Sequence, residues 1–187
     1  MKNDQSALAD RLEALCGVQA RDCYQCGKCT AGCPMASEMD FPPSLIMRLL
    51  QTGTDSAYRK VLSSRAIWYC VGCEQCIGRC PKEVDIPVLM DCLRGEAQKE
   101  GCISPEASDI IKFHKSFLGS VHRNGRLGEL DLVVEYKLRS LHLLQDVTVA
   151  PGMLAKGKLS LLPPHIKGKK AVQEIFARTK EESAKAE

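Results

Sequence analysis

Apolar residues recur along this chain at intervals of three and four, the period of helices with one buried face. Leu8, Leu12 and Leu15 form the first stripe, on a helix from Ser6 to Leu15 that Asn3, Asp4 or Ser6 caps and Gly17 stops. Asp40 to Ser44 has the composition of a helix start, and Leu45, Ile46, Leu49 and Leu50 follow as an apolar face before Gly53. Asp55 caps a short helix through Leu62, and Ile67, Trp68 and Tyr69 come next. Asp85-Ile86-Pro87 combines a cap with a first-turn proline. Val88, Leu89, Cys92 and Leu93 make its apolar face, and Gly101 ends it.

Beyond that point Ser104-Pro105-Glu106 opens a helix with Ile110, Ile111, Phe117, Leu118 and Val121 at helical spacing, broken by Asn124-Gly125. Leu127, Leu130, Val134, Leu138, Leu141 and Leu144 then form a long stripe, suited to docking on the rest of the chain or on a neighbouring protein. Ordinary helical core is the plainer reading of most of these residues. Val147 to Gly168, rich in proline and glycine, reads as an extended segment. A last helix from Lys169 to about Glu182 carries Val172, Ile175 and Phe176.

Between these helices lie two copies of one cysteine pattern. Cys23, Cys26, Cys29 and Cys33 precede Pro34, and Cys70, Cys73, Cys76 and Cys80 precede Pro81. This is the run that holds [4Fe–4S] clusters in iron–sulfur proteins. Gly27, Ala31, Gly32, Gly72 and Gly78 supply the small residues a tight wrap requires. The prolines fix the backbone just past the fourth ligand. In two-cluster ferredoxins that fourth cysteine crosses to the other cluster. On this pattern Cys23, Cys26, Cys29 and Cys80 hold one cluster, and Cys70, Cys73, Cys76 and Cys33 hold the other. Structural zinc also uses paired cysteines, but an eight-cysteine framework ending twice in Cys-Pro favours the clusters. Disulfides are weaker still, because the N-terminal stretch is polar and periodic, without a secretory signal.

Composition bounds the partners. A chain of 187 residues fits one domain with an extension. We divide it into an N-terminal helix (1–17), a dicluster domain (18–101) and a docking extension (102–187). No apolar run approaches the roughly 18 residues of a membrane span, so a cytoplasmic location is expected. Two loaded clusters bring the formal charge of +3 to about −1, which removes a strong electrostatic case for nucleic acid. Lys156, Lys158, Lys167, Lys169 and Lys170 form a local basic patch without interleaved aromatics, either a solvated face or a contact with a partner protein. Cys16, Cys92 and Cys102 stand outside both runs. Cys92 reads as a small buried hydrophobe, and none has the partners of a catalytic thiol. His114, His122 and His142 fit helix surfaces. No phosphate loop and no G-x-G-x-x-G after a strand is visible. A cluster with a complete sulfur shell moves electrons and leaves no substrate site.

The spacing between the runs resembles the α-helical ferredoxin found in the iron–sulfur proteins of fumarate reductases, so a mainly α fold is expected. With Asn124-Gly125-Arg126-Leu127 and the stretch Ala150 to Lys158, the two runs and helical linker resemble the C-type iron–sulfur subunit of the soluble heterodisulfide reductase of methanogenic archaea. That resemblance implies a relay between two partners in the same complex. One is the A-type subunit, which carries flavin and further iron–sulfur clusters, and the other is the B-type subunit, which reduces the coenzyme M–coenzyme B heterodisulfide. It also implies flavin-based electron bifurcation, with a hydrogenase or formate dehydrogenase feeding the complex. A relay in a related heterodisulfide-reductase-like or fumarate-reductase-type complex is the alternative. A redox-silent, metal-stabilised scaffold is a reading of another class.

Overall fold

The computed structural model describes residues 10–143, 148–157 and 166–185, and every regular element among them is helical. Two compact units divide the chain, Met1–Ser108 and Asp109–Glu187.

In the first unit, residues 10–16 form α1, which stops at Gly17 in the left-handed region (φ +69°). A 3-10 turn at Ala20–Asp22 leads to α2 (Lys28–Ala31), α3 (Pro43–Gln51), α4 (Asp55–Leu62), α5 (Ala66–Tyr69), α6 (Gln75–Arg79) and α7 (Ile86–Lys99). A 3-10 turn at Pro105–Ala107 closes the unit. Its core collects Leu12, Ile46, Met47, Leu50, Val61, Leu62, Ile67, Leu89, Met90 and Leu93, each at most 1% exposed. The helices α3, α4, α5 and α7 pack around this centre, and the two short helices α2 and α6 pack on each other. Pro43 and Pro87 sit in first turns, where a missing N–H costs nothing. The Asp85 carboxylate accepts from Val88 N at 3.0 Å and caps α7 as expected.

Several sequence expectations are corrected. Thr54, not Asp55, caps α4, its hydroxyl accepting from Ala57 N. Leu15, Leu45 and Val88 point outward, whereas Met47 and Met90, outside the apolar stripes, are fully buried. The packing of one helix against another decides which side of a broad apolar face goes inside, and periodicity alone leaves that choice open. Cys92 is half-buried, and Cys16 is close enough to hydrogen-bond it. Burial and that neighbour push the Cys92 thiol up to about 11. Leu8 and the residues expected to cap α1 lie outside the described residues.

The second unit contains α8 (Ser108–Asn124), α9 (Glu129–Ser140), α10 (Ala150–Ala155) and α11 (Lys169–Lys185). Gly125 ends α8 at φ +81°, and Ser120 Oγ accepts from Gly128 N at 3.0 Å, tying the connection back to the helix. Arg123 links α8 to Asp131 and Glu135 of α9. The expected extended segment is helical over Ala150–Ala155, because Pro151 falls in the first turn, where it is tolerated. Of that stretch, 147 and 158–165, Lys158 among them, lie outside the described residues, as does Leu144. His142 follows the end of α9, with Nε2 3.3 Å from Asp109, and is not on a helix surface. His122 packs edge-on to Phe176 of α11. No described helix is long and apolar enough to cross a membrane.

Candidate metal centres

The two cysteine runs adopt one backbone course, although their residues differ. Two positive-φ residues are needed to turn the chain around the second cysteine of each run. The first run uses Gln25 (φ 58°) and Gly27 (φ 75°), and the second uses Gly72 (φ 63°) and Glu74 (φ 59°). Each run therefore places glycine at one of the two strained positions and a polar residue at the other, so the turns are alike with the chemistry exchanged. Each then enters a single helical turn, α2 or α6. Gly32, at the end of α2, leaves room for the Arg79 side chain, which an added Cβ would strike. Gly78, expected to serve the same tight wrap, carries no such demand, since an added Cβ there meets nothing within 4 Å.

Two cavities result, and the cysteines sort between them. The first, about 390 Å³ with its open mouth, is lined by Cys23, Cys26, Cys29 and Cys80. The second, about 370 Å³, is lined by Cys33, Cys70, Cys73 and Cys76. Thus the last cysteine of each run faces the cavity built by the first three of the other. Met47, Val84 and Ile86 complete the first wall, and Met35, Met39, Met90 and again Ile86 the second. All eight thiols are free of disulfides. Among the described residues no three His, Cys, Asp or Glu side chains converge on a single-ion site.

Burial is graded alike in both runs. Cys29 and Cys76, the third cysteines, are the ones whose thiols burial pushes upward, Cys76 to about 11. Such thiols stay protonated until a metal displaces the proton. Cys26 and Cys73, the second cysteines, are exposed and mark where each cavity comes nearest the surface. The donor set therefore fits a [4Fe–4S] cluster in each cavity: four thiols, apolar walls and a backbone wrapped closely around them.

Three side chains that the sequence pattern did not single out hold the runs in place. Gln51 Nε2, in the last turn of α3, donates to the carbonyls of Ala20 (3.0 Å) and Cys23 (2.8 Å). Arg94 of α7 does the same for the second run, donating to the carbonyls of Ile67 and Cys70. Each run thus has its first cysteine clamped by a polar residue from a core helix. The Asp40 carboxylate accepts from Ser64 Oγ (2.6 Å), Arg65 N (3.2 Å) and Ala66 N (3.0 Å), fixing the start of α5 ahead of Cys70. Thr30 and Ser44 join α2 to α3 at 2.7 Å. Polar residues on otherwise apolar helix faces were the available signal for Gln51 and Arg94.

This geometry defines an all-helical protein unit with two four-cysteine centres. Residues 19–84 match the protein family described as a 4Fe-4S dicluster domain. Longer matches narrow the resemblance to one kind of protein, the C-type iron–sulfur subunit of heterodisulfide reductases. The chain is 32% identical over 108 residues to the second such CoB--CoM heterodisulfide reductase protein of Methanocaldococcus jannaschii, covering 58% of this chain and 56% of that one. It is 39% identical over 101 residues to the corresponding CoB--CoM heterodisulfide reductase protein of Methanopyrus kandleri, covering 54% and 50%. With the C-type subunit of the H(2):CoB-CoM heterodisulfide,ferredoxin reductase of Methanothermobacter thermautotrophicus it shares 30% identity over 111 residues, 59% and 58% of the two chains. The chain spans about half the length of these curated relatives, and each of them is of the kind that the sequence resembles.

Proposed function

We propose that this protein is an electron relay carrying two [4Fe–4S] clusters, one held by Cys23, Cys26, Cys29 and Cys80, the other by Cys33, Cys70, Cys73 and Cys76. The observation that carries this reading is the sorting of the eight cysteines into two apolar cavities, four to each. A zinc site would need its four sulfurs within about 3.8 Å of one another, the edge of a tetrahedron with ~2.3 Å bonds. Sulfurs arranged around a cavity fit a cubane better. When bound, such a cluster takes up and releases one electron. The chain's own residues bind it, keep water away with methionine and isoleucine walls, and bring one cysteine of each centre to the surface.

The names of the relatives support a finer reading. In it the protein is the iron–sulfur relay of a heterodisulfide reductase, passing electrons from the flavin-containing A-type partner to the heterodisulfide-reducing B-type partner. The second unit is its docking extension. In support, no apolar side chain among the described residues of that unit is fully buried, and Leu118, Val134, Leu138 and Leu141 are 50 to 80% exposed.

The test is iron content and spectroscopy on protein purified without oxygen, with its partners where they co-purify. About eight irons per chain and two reducible centres are expected. Cys80→Ala should deplete the centre of the first run, and Cys33→Ala that of the second. Damage confined to the mutated run's own centre would reject the crossed ligand sets, and zinc or a redox-silent protein would reject the relay. Co-purification with fumarate-reductase-type proteins would replace the heterodisulfide reading.

A further inference from the structure

The near-repetition of the two runs allows the surroundings of their centres to be compared position by position. Charge differs at three equivalent places that line a cavity, and also at Arg79 against Gly32 and Glu83 against Ala36, which line neither. Lys28 corresponds to Gln75, Gly27 to Glu74, and Lys82, one residue past the second Cys-Pro, to Met35. Lys28 and Lys82 both line the cavity of Cys23, Cys26, Cys29 and Cys80, and among the described residues they are its only charged lining. Lys82 Nζ is held 5.2 Å from the ring centre of Tyr24, another wall of that cavity. Glu74 is the only charged residue among those described that lines the other cavity. Arg94 touches the Cys70 carbonyl but lines neither cavity, and its guanidinium is paired with Asp91 at 2.7 Å.

Hydrogen bonds to sulfur lean the same way. Gln25 N donates to Cys23 Sγ and Val84 N to Cys80 Sγ, each at 3.4 Å. Both sulfurs belong to the lysine-lined cavity. Cys76 Sγ in the other cavity is met by the backbone N–H groups of its own residue and of Ile77, as Cys29 Sγ is by those of its own residue and of Thr30, so these matched contacts cancel, and the Thr30 hydroxyl adds a further donor at Cys29 alone.

Resting on the relay reading, we infer that Lys28, Lys82 and the two N–H···S bonds give the centre of Cys23, Cys26, Cys29 and Cys80 the higher reduction potential, and that Glu74 lowers that of the other. Reduction adds a negative charge. Ammonium groups and N–H donors stabilise that charge, and a carboxylate opposes it. The asymmetry makes the relay directional, with the lysine-lined centre at its downhill end.

The test is a redox titration of the intact holoprotein followed by electron paramagnetic resonance. Lys28→Gln combined with Lys82→Gln should lower the higher of two potentials by the equivalent of roughly a three- to tenfold change in electron partition, ~28 to ~59 mV for a one-electron couple. Glu74→Gln should raise the lower one. Gln75→Lys, which gives the second run the first run's lysine, should raise it too and narrow the gap. These side chains are exposed, so folding is not at stake. Two reducible centres in which the lysine changes move the lower potential, or neither, would overturn the inference and leave the relay standing. Absence of any reducible centre in iron-loaded protein would overturn both.

Discussion

Gln51 illustrates how one side chain serves a centre it does not line. Its amide nitrogen joins two carbonyls, one of them that of Cys23, to the end of α3. Gln51→Leu leaves both carbonyls without that donor in a half-buried position. We expect a stability loss of about 1–3 kcal/mol in chemical unfolding, with iron released faster from the Cys23 centre than from the Cys70 centre. Equal release from both would show that the clamp acts only on global stability. The cysteines were legible in the sequence because their chemistry and spacing are shared by few other site types. Gln51, Arg94 and Asp40 were not, since each acts on backbone groups of residues distant in sequence, and a lone polar residue in a helix has many ordinary explanations.

Among the helices, α1 is fastened to α7 by charge as well as by Leu12. Glu96 of α7, only 6% exposed, is contacted by Arg11 at 2.5 Å and Lys99 at 3.4 Å. Burial by itself would raise the Glu96 pKa, but the hydrogen bond and charge of Arg11, with help from Lys99, bring it below the ordinary carboxyl value. A lowered folded pKa means that the unfolded chain binds the proton more readily. The stability advantage over Glu96→Gln is therefore complete above the unfolded value of about 4.3 and shrinks as the pH falls through the folded one. Parallel urea unfolding of the two proteins from about pH 7 downward checks this, and a constant difference would refute it. The helices α3, α4, α7 and α8 were readable from apolar period and turn residues. The helix at Ala150–Ala155 was not, because proline and glycine count against a helix in general while this proline occupies a position that tolerates it.

For the molecule as a whole, Cys33 and Cys80 place each run at both cavities, so under the proposed relay we expect metal loading and folding of Met1–Ser108 to be coupled. Asp109–Glu187 contains no cysteine. Removing iron with a chelator should accelerate amide hydrogen exchange in α2 through α7 by at least an order of magnitude while leaving α8 and α9 nearly unchanged. Uniform acceleration across both units would contradict this division, and unchanged exchange in α2 through α7 would show that the helical core stands without metal.

The chemistry was already present in the one-dimensional chain: eight thiols in two spaced runs, helical periodicity around them, and the resemblance that both carry. Ligand types and local periods are properties of short stretches, so they survive without a fold. The crossed sharing of the cysteines was already an expectation of the run pattern; only the folded arrangement decided which carbonyls Gln51 and Arg94 clamp, and that Lys28 and Lys82 line one cavity while Glu74 lines the other. Those facts depend on the packing of α2 on α6, of α3 on the 3-10 turn at Ala20–Asp22 and of α5 on α7, which brings together residues that no local pattern connects.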